Sequence, residues 1–224
     1  MRYSLILLPL LLAAMPAAAQ VELLDQIAPD SGKGQIQLTT APGGESIQFL
    51  SGVSDLLALG GELDFEDGVL EEAGAAAMFR FSDPVDDPIG VALELQGSLA
   101  RGGSLSDLEA RLILERQTAR WWVQTTGIAR HSREDGERGT GLAYVASLQH
   151  KLGSVWLGGE TSGRFARLSG SGEVFGVGQY YAGPSLTLEQ ELGDKDLELG
   201  LSWQQRIKGD GARSGPRLYA QFTF

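Results

Sequence analysis

Cysteine is absent from all 224 residues, which removes disulfides, a lipid-bearing cysteine and every thiolate metal site in one step. Histidine is nearly absent: His131 and His150 are the only two, so imidazole general-base chemistry has few places to sit. Basic residues are in deficit, 18 against 29 acidic for a net charge of −11, the wrong sign for a nucleic-acid surface. Beyond residue 19 no segment approaches the ~18 consecutive apolar residues that a membrane-spanning helix requires. If the rest of the chain crosses a bilayer, a closed β-barrel is the way left to satisfy every backbone N–H and C=O in lipid.

Glycine, by contrast, is abundant at 31 residues, which suits turns and close strand contacts and does not suit helices. At the N-terminus Arg2 precedes the apolar run Leu5 to Leu12, and Ala17-Ala18-Ala19 forms a small-residue cleavage site. This order predicts a secretory signal peptide over residues 1–19, cut before Gln20. The mature chain would carry 17 basic and 29 acidic residues, a net charge of −12. A short N-terminal periplasmic segment is expected over 20–33 and a single β-domain over 34–224.

Alternation with period two dominates the remainder. In the last ten residues Leu218, Ala220, Phe222 and Phe224 make one face, and Arg217, Tyr219, Gln221 and Thr223 the other. Such a strand has one side in an apolar medium and one in a polar medium. The same pattern recurs upstream: Leu197, Leu199, Leu201 and Trp203; Leu142, Tyr144, Ala146 and Leu148; Leu108, Ala110, Leu112 and Leu114; Ile89, Val91, Leu93 and Leu95. Ten strands are legible between residues 55 and 224, and two weaker candidates at 34–40 and 45–51 would make twelve. Most run ~10–13 residues, close to the ~9–11 that a tilted strand needs to cross a bilayer.

With its alternating C-terminal strand ending in Phe224, the chain resembles the outer-membrane β-barrels of Gram-negative bacteria. The resemblance implies an all-β fold, a single antiparallel transmembrane β-barrel of ten to twelve strands. It also implies an outer-membrane location, with membrane lipid and the barrel-assembly machinery as partners and Leu218, Ala220, Phe222 and Phe224 as the assembly signal. Turn lengths agree: 118–119, 152–154 and 193–195 are tight on the side expected to be periplasmic, while 101–106, 132–139, 169–178 and 209–214 are longer. Residues 82–88 break this rule. Trp121, Trp156, Phe79, Phe81, Phe222 and Phe224 are expected in one interfacial aromatic girdle, and Phe65, Tyr180 and Trp203 in the other.

Strand parity sends many ionisable groups inward. The basic set is Arg80, Arg111, Arg130, Arg164, Arg206 and Arg217. The acidic set is Glu62, Asp64, Glu94, Glu109, Glu115, Glu160, Glu189, Glu191 and Glu198. Two readings follow: a narrow porin-like channel for small solutes, whose charged walls bias passage, or a structural barrel filled by Arg–Glu pairs. An outer-leaflet lipid hydrolase is a further alternative, resting on His131-Ser132, but neighbours on a strand point to opposite faces. A soluble periplasmic β-sandwich would require the Leu-lined faces to pack on each other. Glu134-Asp135-Gly136-Glu137 offers carboxylates without the alternating spacing of a dedicated Ca²⁺ loop, and Gly170-Ser171-Gly172 lacks the strand-to-helix setting of a phosphate loop. No catalytic residue, cofactor or metal site is expected.

Overall fold

A computed structural model of the chain describes residues 26–41, 44–133, 138–170, 178–209 and 214–224. The expected signal peptide, the acidic loop 134–137 and Ser171-Gly172 lie outside the described residues. Twelve antiparallel strands form one closed barrel. They are β1 (Gly34–Ala41), β2 (Gly44–Ser54), β3 (Leu57–Glu66), β4 (Val69–Ser82), β5 (Gly90–Ala100), β6 (Leu105–Gln117), β7 (Trp121–Ser132), β8 (Gly139–Leu152), β9 (Val155–Gly170), β10 (Gln179–Glu191), β11 (Asp196–Lys208) and β12 (Ser214–Thr223).

Each strand pairs with its sequence neighbours, and β1 closes the circle on β12 with Gln35 opposite Thr223 and Thr40 opposite Leu218. Gly34 and Phe224 exchange backbone hydrogen bonds of 2.7 and 2.8 Å at the end of that seam. The two weakest strand candidates therefore become the first hairpin, and one of them is what removes the free edges of the sheet. Ile36 and Leu38 alone gave a faint pattern, because Gln35, Gln37 and Thr39 between them point into a polar interior.

Alternation places Leu59, Leu63, Leu95, Leu112, Leu148, Leu186, Leu199, Leu201 and Trp203 on the outside, all exposed. In water such a belt would be an aggregation surface, whereas in a bilayer it is the lipid contact. Phe222 stacks on Phe224 at 5.7 Å, and Trp121 meets the His150 ring edge-on at 4.6 Å. Trp156 corrects the girdle expectation. It sits at the expected height but faces inward, fully buried, because Val155 and Leu157 on either side take the outer face.

Both ends of the described chain lie at one end of the barrel, here called the terminal end; the opposite end is the loop end. At the loop end β3 and β4 are joined by Asp67-Gly68 with φ of 51° and 74°, the left-handed pair that a two-residue hairpin demands. The long terminal-end connection 83–89 is ordered. Asp83 Oδ1 accepts from the N–H groups of Val85 and Asp86, and Gln117 N–H donates to Pro84 O.

Residues 26–33 precede the barrel in sequence, yet 26–29 sit inside its terminal mouth and 30–33 run exposed along its rim. Ile27 and Ala28 are buried against Leu50, Ala58, Met78, Ala92 and Ile113, an apolar patch on the inner face of β2–β6. Beneath them the wall is pared down. A Cβ on Gly52 would meet Asp30 O at 2.2 Å, and one on Gly90 would meet Ile27 Cδ1 at 2.8 Å and Pro84 Cα at 2.7 Å.

Candidate functional site

The interior is a stack of three polar tiers. Towards the loop end, the Glu109 carboxylate of β6 accepts from Arg130 Nε of β7 at 2.5 Å and from Arg111 Nε on its own strand. Arg111 also lies 3.8 Å from Glu94 of β5, whose side chain is wholly buried. Gln96 reaches over β4 to donate to Glu62 of β3 at 2.9 Å. Arg164 of β9 and Arg206 of β11 are partly exposed nearer the loop end, and Tyr181, opposite Arg206 in register, is buried inside.

In the middle tier the β9–β12 side is joined by an ion pair. Arg217 Nη2 of β12 lies 2.6 Å from Glu160 Oε2 of β9, and both side chains are almost completely buried. Gln204 of β11 donates to the same carboxylate oxygen at 3.0 Å. Gln149 of β8 donates to Ser185 and Thr187 of β10 at 3.1 and 3.2 Å. The Tyr219 hydroxyl hydrogen-bonds Glu198 and lies 3.0 Å from Thr187 Oγ1. Its ring lies flat over Gly200, where a Cβ would come within 1.8 Å of it.

At the terminal end Trp122 Nε1 donates to Glu115 Oε1 at 2.8 Å and its ring meets Trp156 edge-on at 5.6 Å. Lys151 Nζ pairs with Glu189 at 3.1 Å and stands over the Trp156 ring at 4.7 Å. Arg80 sits at the rim, 3.1 Å from Asp30 and 3.4 Å from Asp83. Across Asp30 the Arg80 guanidinium, helped by Lys33, holds the carboxyl below its ordinary 3.8. A cavity of about 660 Å³ occupies this end on the β8–β12 side, with Gln26, Lys151, Glu189, Glu198 and Gln221 among its walls.

The ionisable set read from the sequence is thus distributed along the whole lumen. Glu109, Arg111, Arg130 and Glu94 come together as one group, Glu160 and Arg217 as a second. Glu115, Glu189 and Glu198 occur at the terminal end with the N-terminal segment and Lys151. Looking only for charges missed the amides Gln149, Gln204 and Gln221, the hydroxyl of Tyr219 and the indoles of Trp122 and Trp156. Inward parity alone could have found them. His131 and Ser132 point to opposite sides of the wall: Ser132 is buried, and His131 Nδ1 is bound to Thr140 Oγ1 at 2.8 Å.

Buried polar groups are normally hydrogen-bonded, and an unmade bond costs about 1–3 kcal/mol. Among the described residues several lumenal atoms have no protein partner: Oε1 of Gln96, Gln149, Gln204 and Gln221, Thr126 Oγ1 and Trp156 Nε1. These atoms are enclosed by neighbouring side chains, and they occur at all three levels of the barrel.

No protein-family model matches the sequence, and no curated protein matches it either. Solved structures do share the fold. The KdgM porin is similar at 12 % identity and a TM-score of 0.51, over 86 % of this chain and 98 % of that one. Its complex with disordered oligogalacturonate gives 10 % identity and a TM-score of 0.54 over the same shares. A structure from work on the in-meso crystallization of membrane proteins gives 13 % identity and a TM-score of 0.52, over 86 % and 83 % of the two chains. What the chain shares with them is the fold, which here is a closed barrel of twelve antiparallel strands.

Proposed function

We propose that this chain is a narrow outer-membrane channel for small hydrophilic solutes, held closed at rest by its own side chains. The observation that carries the reading is the set of unpartnered amide, hydroxyl and indole atoms along the lumen. A barrel serving only as a scaffold gains from pairing every such group, or from replacing it with an apolar one. A conduit gains from leaving them to water and solute hydroxyls, which replace one another at low cost. The apolar outer belt and the resemblance of Leu218, Ala220, Phe222 and Phe224 to a barrel-assembly signal support the location.

Glu189, Glu191, Asp196 and Glu198 outnumber Lys151 around the terminal cavity, so cations should enter more readily than anions. Oligogalacturonate, the ligand seen in the similar KdgM complex, is an anionic sugar polymer and fits these walls less well than a neutral or cationic solute. The second reading is a structural envelope protein, favoured by the buried Glu160–Arg217 pair.

Planar-bilayer recording of the refolded protein decides between them. The channel should give discrete conductance steps and a reversal potential displaced towards the cation potential. Protein that migrates as a folded, heat-modifiable barrel yet never conducts would sink the channel and leave the scaffold. The location is checked by changing Phe222 and Phe224 to Ser, which should strand the chain outside the membrane fraction; normal membrane yield would count against it.

A further inference from the structure

The residues just before the barrel do more than lead into it. Gln26 and Ile27 are adjacent in sequence but bind opposite walls. Gln26 Nε2 donates to Glu198 of β11 at 2.8 Å, and its Oε1 accepts from Gln221 of β12 at 2.7 Å. Ile27 N–H donates to Glu115 Oε2 of β6 at 3.2 Å. In the closed strand order β6 stands opposite β12, so this one dipeptide spans the lumen at its terminal end.

Four further contacts seat the segment. Ala28 N–H points to Met78 Sδ at 3.1 Å, and Ile27 and Ala28 cover the larger of two apolar clusters that the wall turns inward among the described residues, the other being Ile128, Ala143 and Val145. Gly32 N–H donates to Gly52 O at 2.8 Å, and Asp30 pairs with Arg80. The receptor is also cut to shape: Gly52 and Gly90 supply the room that Asp30 and Ile27 occupy, and any side chain there would collide with them.

We propose that residues 26–33 are a built-in plug that sets the bore and the charge of the channel by sealing its β2–β6 side and leaving the acidic β8–β12 side as the way in. This rests on the channel reading for its consequence, but not for its geometry. The attachment favours release as a unit. It is held by a handful of hydrogen bonds, among them two to the Glu198 and Glu115 carboxylates and two with the Gly52 backbone. The Asp30–Arg80 pair and the side chains of Ile27 and Ala28 hold it as well, while each strand behind it is paired along its length with both neighbours. Once released, the segment would uncover Leu50, Ala58, Met78, Ala92 and Ile113 and widen the mouth across its whole diameter.

Because the chain has no cysteine, a single Ala58→Cys variant reports on the plug directly. In the otherwise native protein, reaction of that thiol with a charged methanethiosulfonate reagent should be slow, since Ala58 is 2 % exposed beneath Ile27 and Ala28. Adding Gly52→Val, which puts a side chain into the space of Asp30, should speed labelling at least about tenfold. Ile27→Asp tests the same point from the segment's side and leaves every strand untouched, so a folding failure of the first variant does not end the experiment. Unchanged labelling in folded protein of either variant overturns the plug. In bilayers each variant should also raise single-channel conductance about twofold or more. Faster labelling without any conductance, in variant or wild type, would keep the plug and defeat the channel; wild-type conductance that the variants leave unchanged, despite faster labelling, would show that the segment does not set the bore.

Discussion

The two sides of this lumen were built on different rules. The β2–β6 side turns Leu50, Ala58, Met78, Ala92 and Ile113 inward at its terminal end and covers them with a piece of its own chain. The β8–β12 side turns amides, hydroxyls and charges inward and leaves a cavity of about 660 Å³ in front of them. An apolar wall facing a water-filled bore gains nothing from its solvent, so a segment carrying Ile27 and Ala28 is drawn to it. A wall of Gln, Ser, Thr and Glu instead meets its own groups across neighbouring strands, as Gln149 does with Ser185 and Thr187. The difference teaches that wall polarity decides which half is sealed and which half stays available.

The sharpest way to break the comparison is on the polar side. Arg217→Ala leaves Glu160 buried with only Gln204 to support it, and breaking a buried pair costs ~3–5 kcal/mol. We expect a loss near the lower end, read as a shifted urea midpoint for unfolding from lipid vesicles. A loss of at most ~1 kcal/mol, the worth of a solvated pair, would mean that water already fills the middle of that side. Next comes the apolar side. Met78→Ala should cost ~2–4 kcal/mol if the segment packs a dry core over it, since Met78 is 1 % exposed. The cost should largely vanish in an Ile27→Asp background. Equal costs in both backgrounds would separate Met78 from the segment.

The smallest effect concerns acid. Asp30 is held below its ordinary 3.8 by Arg80, so its contribution to seating the segment is fully present above that value. It is lost as pH falls through the lower folded value. Its side chain is 58 % exposed, so the whole effect should stay below ~1 kcal/mol. Wild type should therefore lose slightly more stability than Asp30→Asn between neutral pH and pH values under 3.8. A larger acid loss in Asp30→Asn would show that another group governs the seat.

Much of this architecture was legible in the residues. Leu197, Leu199, Leu201 and Trp203 point outward because lipid rewards one side of a strand and forbids charge there, a constraint that acts residue by residue. The same parity sends Glu109, Arg111, Glu160 and Arg217 inward without reference to any partner. Asp67-Gly68 marks its hairpin by local backbone preference. Trp156 shows the limit of judging a residue by type alone: an indole near a strand end suits a membrane interface, but its neighbours Val155 and Leu157 had already taken that face.

What the sequence alone determined was the medium of each face: an apolar outside, a polar inside, no helix long enough to cross, and no thiol or imidazole cluster for chemistry. That is local information, carried by period-two alternation and composition. Only the tertiary structure decided that β1 closes on β12, that Arg217 meets Glu160 across intervening strands, and that Gln26 and Ile27 bridge β11–β12 to β6. These contacts join residues up to 195 positions apart, as Gln26 and Gln221 are. No local pattern encodes them, because they depend on how many strands complete the circle and on the register that closure imposes.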